Sequence, residues 1–301
     1  MTILTQQFFW GRLERLGKKG AQHLQRGRRL VHTLRHLKLR QIYFLILRRG
    51  IKTAYRPPQH SAPINPRFNM HRHAPVHRCL RANRLVFLNT PAPFTLDAID
   101  WQPAQMSKLW RYNLHYFDYL QLWINQEDTP DGAHPSQGDF LIEHWIAHNP
   151  YPHENAWEPY PTSLRIINWI KYFQAKNPNT LAENWLHSLY QQGHFLSAHI
   201  EWHIDANHLL KNIIALVIWS HYFNDAFAQQ WRTRSCVLLA KLCAEQFFPD
   251  GGHYERSPMY HFILIHHLLD VYNCLQHSTA STPRWLNDTL NAGLNYCQII
   301  V

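Results

Sequence analysis

The densest run of proton- and charge-handling side chains is "DGGHYERSPMYH", residues 250–261, which leads straight into the apolar run "FILIHHLLDVY". Two Gly, two His, two Tyr, a Glu and an Arg stand at what reads as the start of a helix. Free N–H groups and the helix dipole favour anions at such a place, and His, Tyr and Glu side chains can pass protons beside it. A second stretch, "WHIDANHLLKN", sets Asn207 beside His208 at the start of another apolar helix. Asp205 and Asn207 are both good capping residues, so capping explains part of this pattern without any chemistry. A third, "AWEPYPTSLRIINW", brings Trp157, Glu158 and Tyr160 ahead of Ser163 and Arg165. The Arg165 guanidinium could clamp a carboxylate in bidentate fashion or close an interhelical ion pair. "HIEWH" places His199 and His203 four apart, on one face if the segment is helical, but its Glu stands third, unlike the His-Glu-x-x-His order of zinc peptidases. His261, His266 and His267 show no ligand spacing either, so no metal site is expected.

Helices must carry these groups. From Trp110 onward apolar residues recur at helical spacing almost without strand signals, as in "WRYNLHYFDYLQLWI" and in Leu164, Ile167 and Ile170 of "SLRIINWIKYF". Further helices are expected over "TLAENWLHSLYQQGHFLSAHIEW", "NHLLKNIIALVIWSHYF", "FAQQWRTRSCVLLAKLCAEQFF" and "MYHFILIHHLLDVYNCLQ". Two of them are apolar nearly all the way round, as inner helices wrapped by an outer layer would be. The fold class is therefore all-α, a double layer of paired helices forming an α/α toroid. Residues 1–56 read as a basic amphipathic helical arm with Leu30, Leu34 and Leu37 at helical spacing, and 57–104 as a loop-rich connector with short extended pieces such as "RLVFLNT".

Composition narrows the classes. With 301 residues and 46% hydrophobic content the chain is globular rather than disordered. Twelve Trp, fourteen Tyr and fifteen Phe exceed ordinary core needs and point to a cleft for ring-shaped ligands such as sugars. Residues 1–96 carry 19 basic side chains and one acid, Glu14, whereas 97–301 are acidic on balance. The arm by its charge could touch nucleic acid or an anionic membrane surface, or it could pack its Leu face on the body, the favoured reading; the rest would be repelled by both polyanions, and no nucleic-acid partner is expected. Cys79, Cys236, Cys243, Cys274 and Cys297 read as buried thiols. The first residues show no export signal, and "IYFLIL" is too short to span a bilayer.

Four motifs, "WRYNLHYFDYL", "AWEPYPTSLRIINWIKYF", "HIEWHIDANHLLKN" and "FFPDGGHYERSPMYH", stand in the order and at intervals that resemble the heparinase II/III-like polysaccharide lyases, a group that includes oligo-alginate lyases. The resemblance covers about residues 105–275, the toroid domain being assigned to 105–301. It implies an incomplete α/α toroid followed by an antiparallel β-sandwich, and cleavage of a uronic-acid polysaccharide by β-elimination. By resemblance Asn207, assisted by His208, neutralises the uronate carboxylate, and Tyr260 is the general acid and, on some substrates, the base as well; as a base its hydroxyl would need His208, Arg256 or His261 to lower its pKa. Glu255 and Arg256 are expected to pair and hold the loop. Tyr112, Asn113, His115, Trp157, Tyr160, Arg165, His203, Glu255, Arg256 and His261 are the expected substrate contacts. The chain stops at "LNYCQIIV", inside a helical pattern, so the β-sandwich and any structural metal it holds are expected to be missing. No cofactor is expected in this chain. The resemblance implies a periplasmic location, and the lack of a visible signal a cytoplasmic one.

Two other classes remain open to the sequence. A glycan-binding protein of surface-polysaccharide assembly or export could keep the toroid cleft without the chemistry. A glycoside hydrolase would need paired acids across a cleft, for which Glu158, Asp205, Asp250 and Glu255 are available.

Overall fold

The computed structural model describes residues 37–50, 55–70, 80–81, 84–123, 137–176, 178–278 and 282–301. It divides into two compact units, residues 1–53 and 54–301. The first contains helix α1, Leu39–Gly50. Leu30 and Leu34 of the expected arm, and Cys79, lie outside the described residues.

The second unit opens with an antiparallel meander of β1 (Leu80–Arg81), β2 (Arg84–Phe87) and β3 (Thr90–Pro93), in which Leu85 faces Ala92 and Phe87 faces Thr90. Its β2–β3 turn is made by Leu88 and Asn89, both at positive φ (54° and 59°), the geometry that matches the twist of a tight hairpin. Leu85 and Phe87 alternate inward and, with Phe68, Met70, Phe94 and Trp101, join the same hydrophobic core as the helices.

Among the described residues eight helices follow: α2 (Lys108–Tyr116), α3 (Gln137–His148), α4 (Pro159–Phe173), α5 (Glu183–Ala198), α6 (Ala206–Tyr222), α7 (Ala226–Gln246), α8 (Pro258–Ser278) and α9 (Arg284–Ile300). Residues of type Ser, Asp and Pro set their starts. Ser107 Oγ accepts from Trp110 N at 3.2 Å, and Asp225 accepts from Ala228 N at 3.0 Å, caps worth about 1 kcal/mol each. Helix α4 is buried without interruption from Pro161 to Phe173, and α6 from Leu209 to Tyr222. Helix α7, in contrast, buries a single stripe, Ala228, Trp231, Ser235, Leu239, Leu242, Cys243 and Gln246. Inner and outer helices thus alternate along the chain, and α6 packs on α4, α5, α7 and α8: the architecture is an incomplete α/α toroid. Contact between α5 and α6 is close enough that a Cβ at Gly193 would lie 2.0 Å from the Trp219 ring.

Three expectations need correction. The segment "WRYNLHYFDYLQLWI" is broken at Phe117, whose φ of 62° ends α2 before a 3-10 turn over Asp118–Trp123. The apolar circumference of α8 is not fully covered either, since Met259, Phe262 and Ile263 are exposed. Finally, the surplus of aromatic rings goes mainly inward: among the described residues eight Trp are buried, so they build the core rather than a sugar-binding wall.

The core also holds ionisable groups. Lys171 Nζ of α4 lies 2.7 Å from Asp270 Oδ2 of α8, and His267 Nδ1 is 3.2 Å from the same oxygen. Several histidines are held neutral. Burial pushes His221 and His253 down to about 4, and burial with Lys211 beside it pushes His267 down to about 3. His115 is likewise held well below the imidazole range by burial and then by Arg165. In the unfolded chain each of these rings takes its proton near the ordinary value of about 6.5. Between that pH and the folded values the unfolded state binds more protons, so stability must fall as pH falls through this window. We expect each fully buried ring to contribute roughly 2 kcal/mol to this loss at about pH 5. Urea midpoints measured at neutral pH and near pH 5 check this; equal midpoints would mean that the rings are solvated.

Candidate active site

The site is built around the start of α6. The chain reaches that helix through Asp205, at φ 65° and ψ −155°, and Ala206, at φ 51°. Asp205 lies in a region that is nearly reserved for glycine, a conformation that costs on the order of 1–3 kcal/mol and clusters at functional sites. Although Asp205 holds the N-cap position, its side chain does not cap the helix. Glu255, from the loop before α8, does so instead: its carboxylate accepts from Asn207 N at 3.1 Å and from Asn207 Nδ2 at 2.9 and 3.2 Å. A negative group here is favoured by the free N–H groups and by the dipole of a long inner helix.

The loop that carries Glu255 is itself held tightly. Gly251 has φ +88°, and a Cβ there would come within 2.1 Å of Ala292 O, so only glycine fits. His253 Nε2 is 3.1 Å from Gln246 Oε1, and its Nδ1 lies 3.7 Å from Glu255 Oε2. Arg256, next in the chain, has φ 53°.

On the other side of Asn207, His208 packs its ring 4.3 Å from that of Tyr160 and sets Nδ1 3.3 Å from Glu201 Oε2. Asn212, one turn later on α6, fixes Glu201: its Nδ2 donates to Glu201 Oε2 at 3.2 Å, and its Oδ1 accepts from Glu201 N at 2.8 Å. Burial pushes the Tyr160 phenol up, and Tyr260, Asp118, Glu201 and Glu255 push it further in that order. Tyr116, 5.9 Å from Tyr160 ring to ring, is raised by burial and then by Tyr160. Both phenols therefore stay protonated and can donate hydrogen bonds. Tyr260, on the first turn of α8, is partly buried and lies within electrostatic reach of Tyr160. The result is a small set of donors (Asn207, His208, Tyr160 and Tyr260) gathered beside two carboxylates.

Not every expected contact is placed there. Arg165 is fully buried, stacked 4.1 Å over Trp145, and donates to Gln192 Oε1, Thr162 Oγ1 and His115 O. Being fully buried, it has no access to a substrate carboxylate, and among the described residues it forms no ion pair. His115 accepts from Trp145 Nε1 at 3.1 Å in the core, and Trp157 is buried with its Nε1 on Asn149 O. His261 turns inward, 2% exposed, with Nε2 3.0 Å from Gly293 O, and so does not assist Tyr260. Ser163 is equally interior, donating to Pro159 O and accepting from Asn212 Nδ2. Glu255 bonds Asn207 rather than Arg256, whose side chain is exposed.

His199 and His203 do not share a helical face, because α5 ends at Ala198 and His203 lies in the following turn. Asn113 turns its amide back onto Leu109 O of its own helix. Tyr112 instead hydrogen-bonds Glu158, which also pairs with Lys108 at 2.9 Å. Sequence reasoning missed Glu201 and Asn212. Their only signal is the carboxylate placed just before the break in "HIEWHIDAN" and the amide one turn into the next helix.

Residues 71–287 match the family model described as Heparinase II/III N-terminus. Among solved structures, the chain is similar to heparinase III, at 19% identity and a TM-score of 0.51, over 68% of this chain and 34% of that one. It is also similar to the heparan sulfate lyase HepC from Pedobacter heparinus, at 18% identity and a TM-score of 0.49, over 72% of this chain and 36% of the other. The likeness is one of fold, and the chain spans about a third of the length of these structures. No curated protein matches it.

Proposed function

Because the chain belongs to the heparinase II/III N-terminus family, we propose that it acts on a uronic-acid-containing polysaccharide, cleaving it by β-elimination. The observation that carries this reading is the carboxylate of Glu255 seated on the N–H and side-chain amide of Asn207. The start of α6 binds a carboxylate within the chain, and a uronate presents the same charge and shape.

The chemistry follows from that neutralisation. Removing the C5 proton next to a carboxylate builds a second negative charge, which is prohibitive unless donors aimed at the carboxylate offset it. Asn207, with His208 beside it, supplies this offset once the uronate has replaced the Glu255 carboxylate on its N–H groups. The C5 proton then passes to the His208 ring, the electron pair of the broken C5–H bond forms the C4–C5 double bond, the C4–O glycosidic bond breaks, and the departing oxygen takes a proton. Tyr260 is the proton donor. Tyr160 and Tyr112 line the approach, the first holding His208 and the second held by Glu158.

Incubating the purified chain with heparan sulfate, alginate and hyaluronan, and following the ultraviolet absorbance of an unsaturated uronate, tests the reading. A rise on one of them is expected. Saturated new ends would mean hydrolysis, and binding with no new ends would favour a glycan-binding protein of polysaccharide assembly.

A further inference from the structure

Helix α1 carries an apolar stripe that the lyase reading leaves unused. Leu39, Tyr43 and Ile46 stand at i, i+4 and i+7, hence on one face, and are 85%, 58% and 65% exposed. Gln41, on the opposite face, is buried at 9%. Ile42, Phe44, Leu45 and Leu47 are half-buried, so the helix is apolar over most of its circumference and leaves one apolar stripe in solvent, unlike an ordinary surface helix.

Charge around the stripe is just as one-sided. Residues 1–53 hold 13 Lys and Arg against a single acid, Glu14, a net of +12. Residues 54–301 hold 17 basic and 19 acidic side chains, a net of −2. Among the described residues no helix is long and apolar enough to cross a membrane.

We infer that α1 is a surface-seeking helix that lays Leu39, Tyr43 and Ile46 into the interface of an anionic lipid bilayer, to which the net positive charge of residues 1–53 attracts it. Short helices of this kind bind by apolar burial together with attraction to anionic lipid. Tyrosine suits the boundary because its ring is apolar and its hydroxyl polar. A soluble polyanion, whether nucleic acid or acidic polysaccharide, would use the same charge but offers nothing to a Leu-Tyr-Ile stripe. The stripe is what selects lipid.

Sedimentation of the full chain with vesicles tests this. Binding is expected to vesicles of mixed phosphatidylcholine and phosphatidylglycerol, to be nearly absent with phosphatidylcholine alone, and to fall about tenfold or more when Leu39, Tyr43 and Ile46 are all changed to Ser. All three positions are exposed, so circular dichroism of that variant should match the parent. Equal binding by parent and variant, or retention on heparin or single-stranded RNA with no vesicle binding, would overturn the proposal and make the arm a polyanion-binding segment. Neither result depends on whether the toroid has lyase activity.

Discussion

Phenylalanine in place of Tyr260 is expected to lower the elimination rate by about 10²–10⁴-fold while leaving the fold intact. The Tyr260 hydroxyl takes no hydrogen bond among the described residues, and only its backbone N–H bonds Ser257 Oγ, at 3.4 Å. Removing the oxygen thus deletes a proton donor without orphaning a partner. Alanine in place of Asn207 acts differently. It removes donors aimed at the developing charge, a loss of about 10²–10³-fold in rate, and it also strips Glu255 of its side-chain partner. A parallel drop in stability should accompany Asn207→Ala but not Tyr260→Phe. Initial rates from the unsaturated-product absorbance, read beside urea midpoints for both variants, separate the two effects. Full activity in Tyr260→Phe would transfer proton donation to His208.

Asparagine in place of Asp270 should cost about 3–5 kcal/mol, as breaking a buried ion pair on one side usually does. Lys171 is 2% exposed and Asp270 0%. Lys211 is buried nearby: burial holds its pKa well below the usual range and Lys171 lowers it too, while Asp118 and Asp270 work against this. One carboxylate thus serves two buried lysines and His267, and its loss leaves Lys171 without its ion-pair partner and Lys211 with Asp118 alone. Against a typical total stability of about 5–15 kcal/mol this is a large fraction. Joint replacement of Lys171 by Met and Asp270 by Leu should be far milder, since it removes both charges at once. Urea unfolding of the single and double variants decides it. A double variant as unstable as the single one would show that shape, not charge, is what the pair supplies.

The parts of this molecule that could be read from the chain are those where local pattern and tertiary role agree. Helices α6, α7 and α8 follow apolar runs bounded by "DAN", "ND" and "SP", and the structure puts them where periodicity does. The break at Phe117 and the turn before Asn207 were not legible, because non-glycine residues adopt left-handed backbone there and composition carries no mark of it. Arg165, His115 and His261 read as surface groups by type. They are interior because each finds hydrogen-bond partners in the core. Asn207, His208 and Tyr160 could be gathered into one site from their motifs, but the bond from Glu255 spans 48 residues of sequence, and no spacing rule reaches that far.

Asp205, Ala206 and Arg256, all non-glycine residues at positive φ, bracket both ends of the Asn207–Glu255 contact. A chain under selection for durability alone would place glycine at these positions, relaxing the backbone at little steric cost. The same change would let the Asn207 amide wander from the direction in which it now points. Heat resistance and the fixed aim of the Asn207 amide therefore draw on the same few peptide units, and a lineage of this fold that moved to hotter surroundings would have to find its extra stability elsewhere, in the outer helices, or give up that aim.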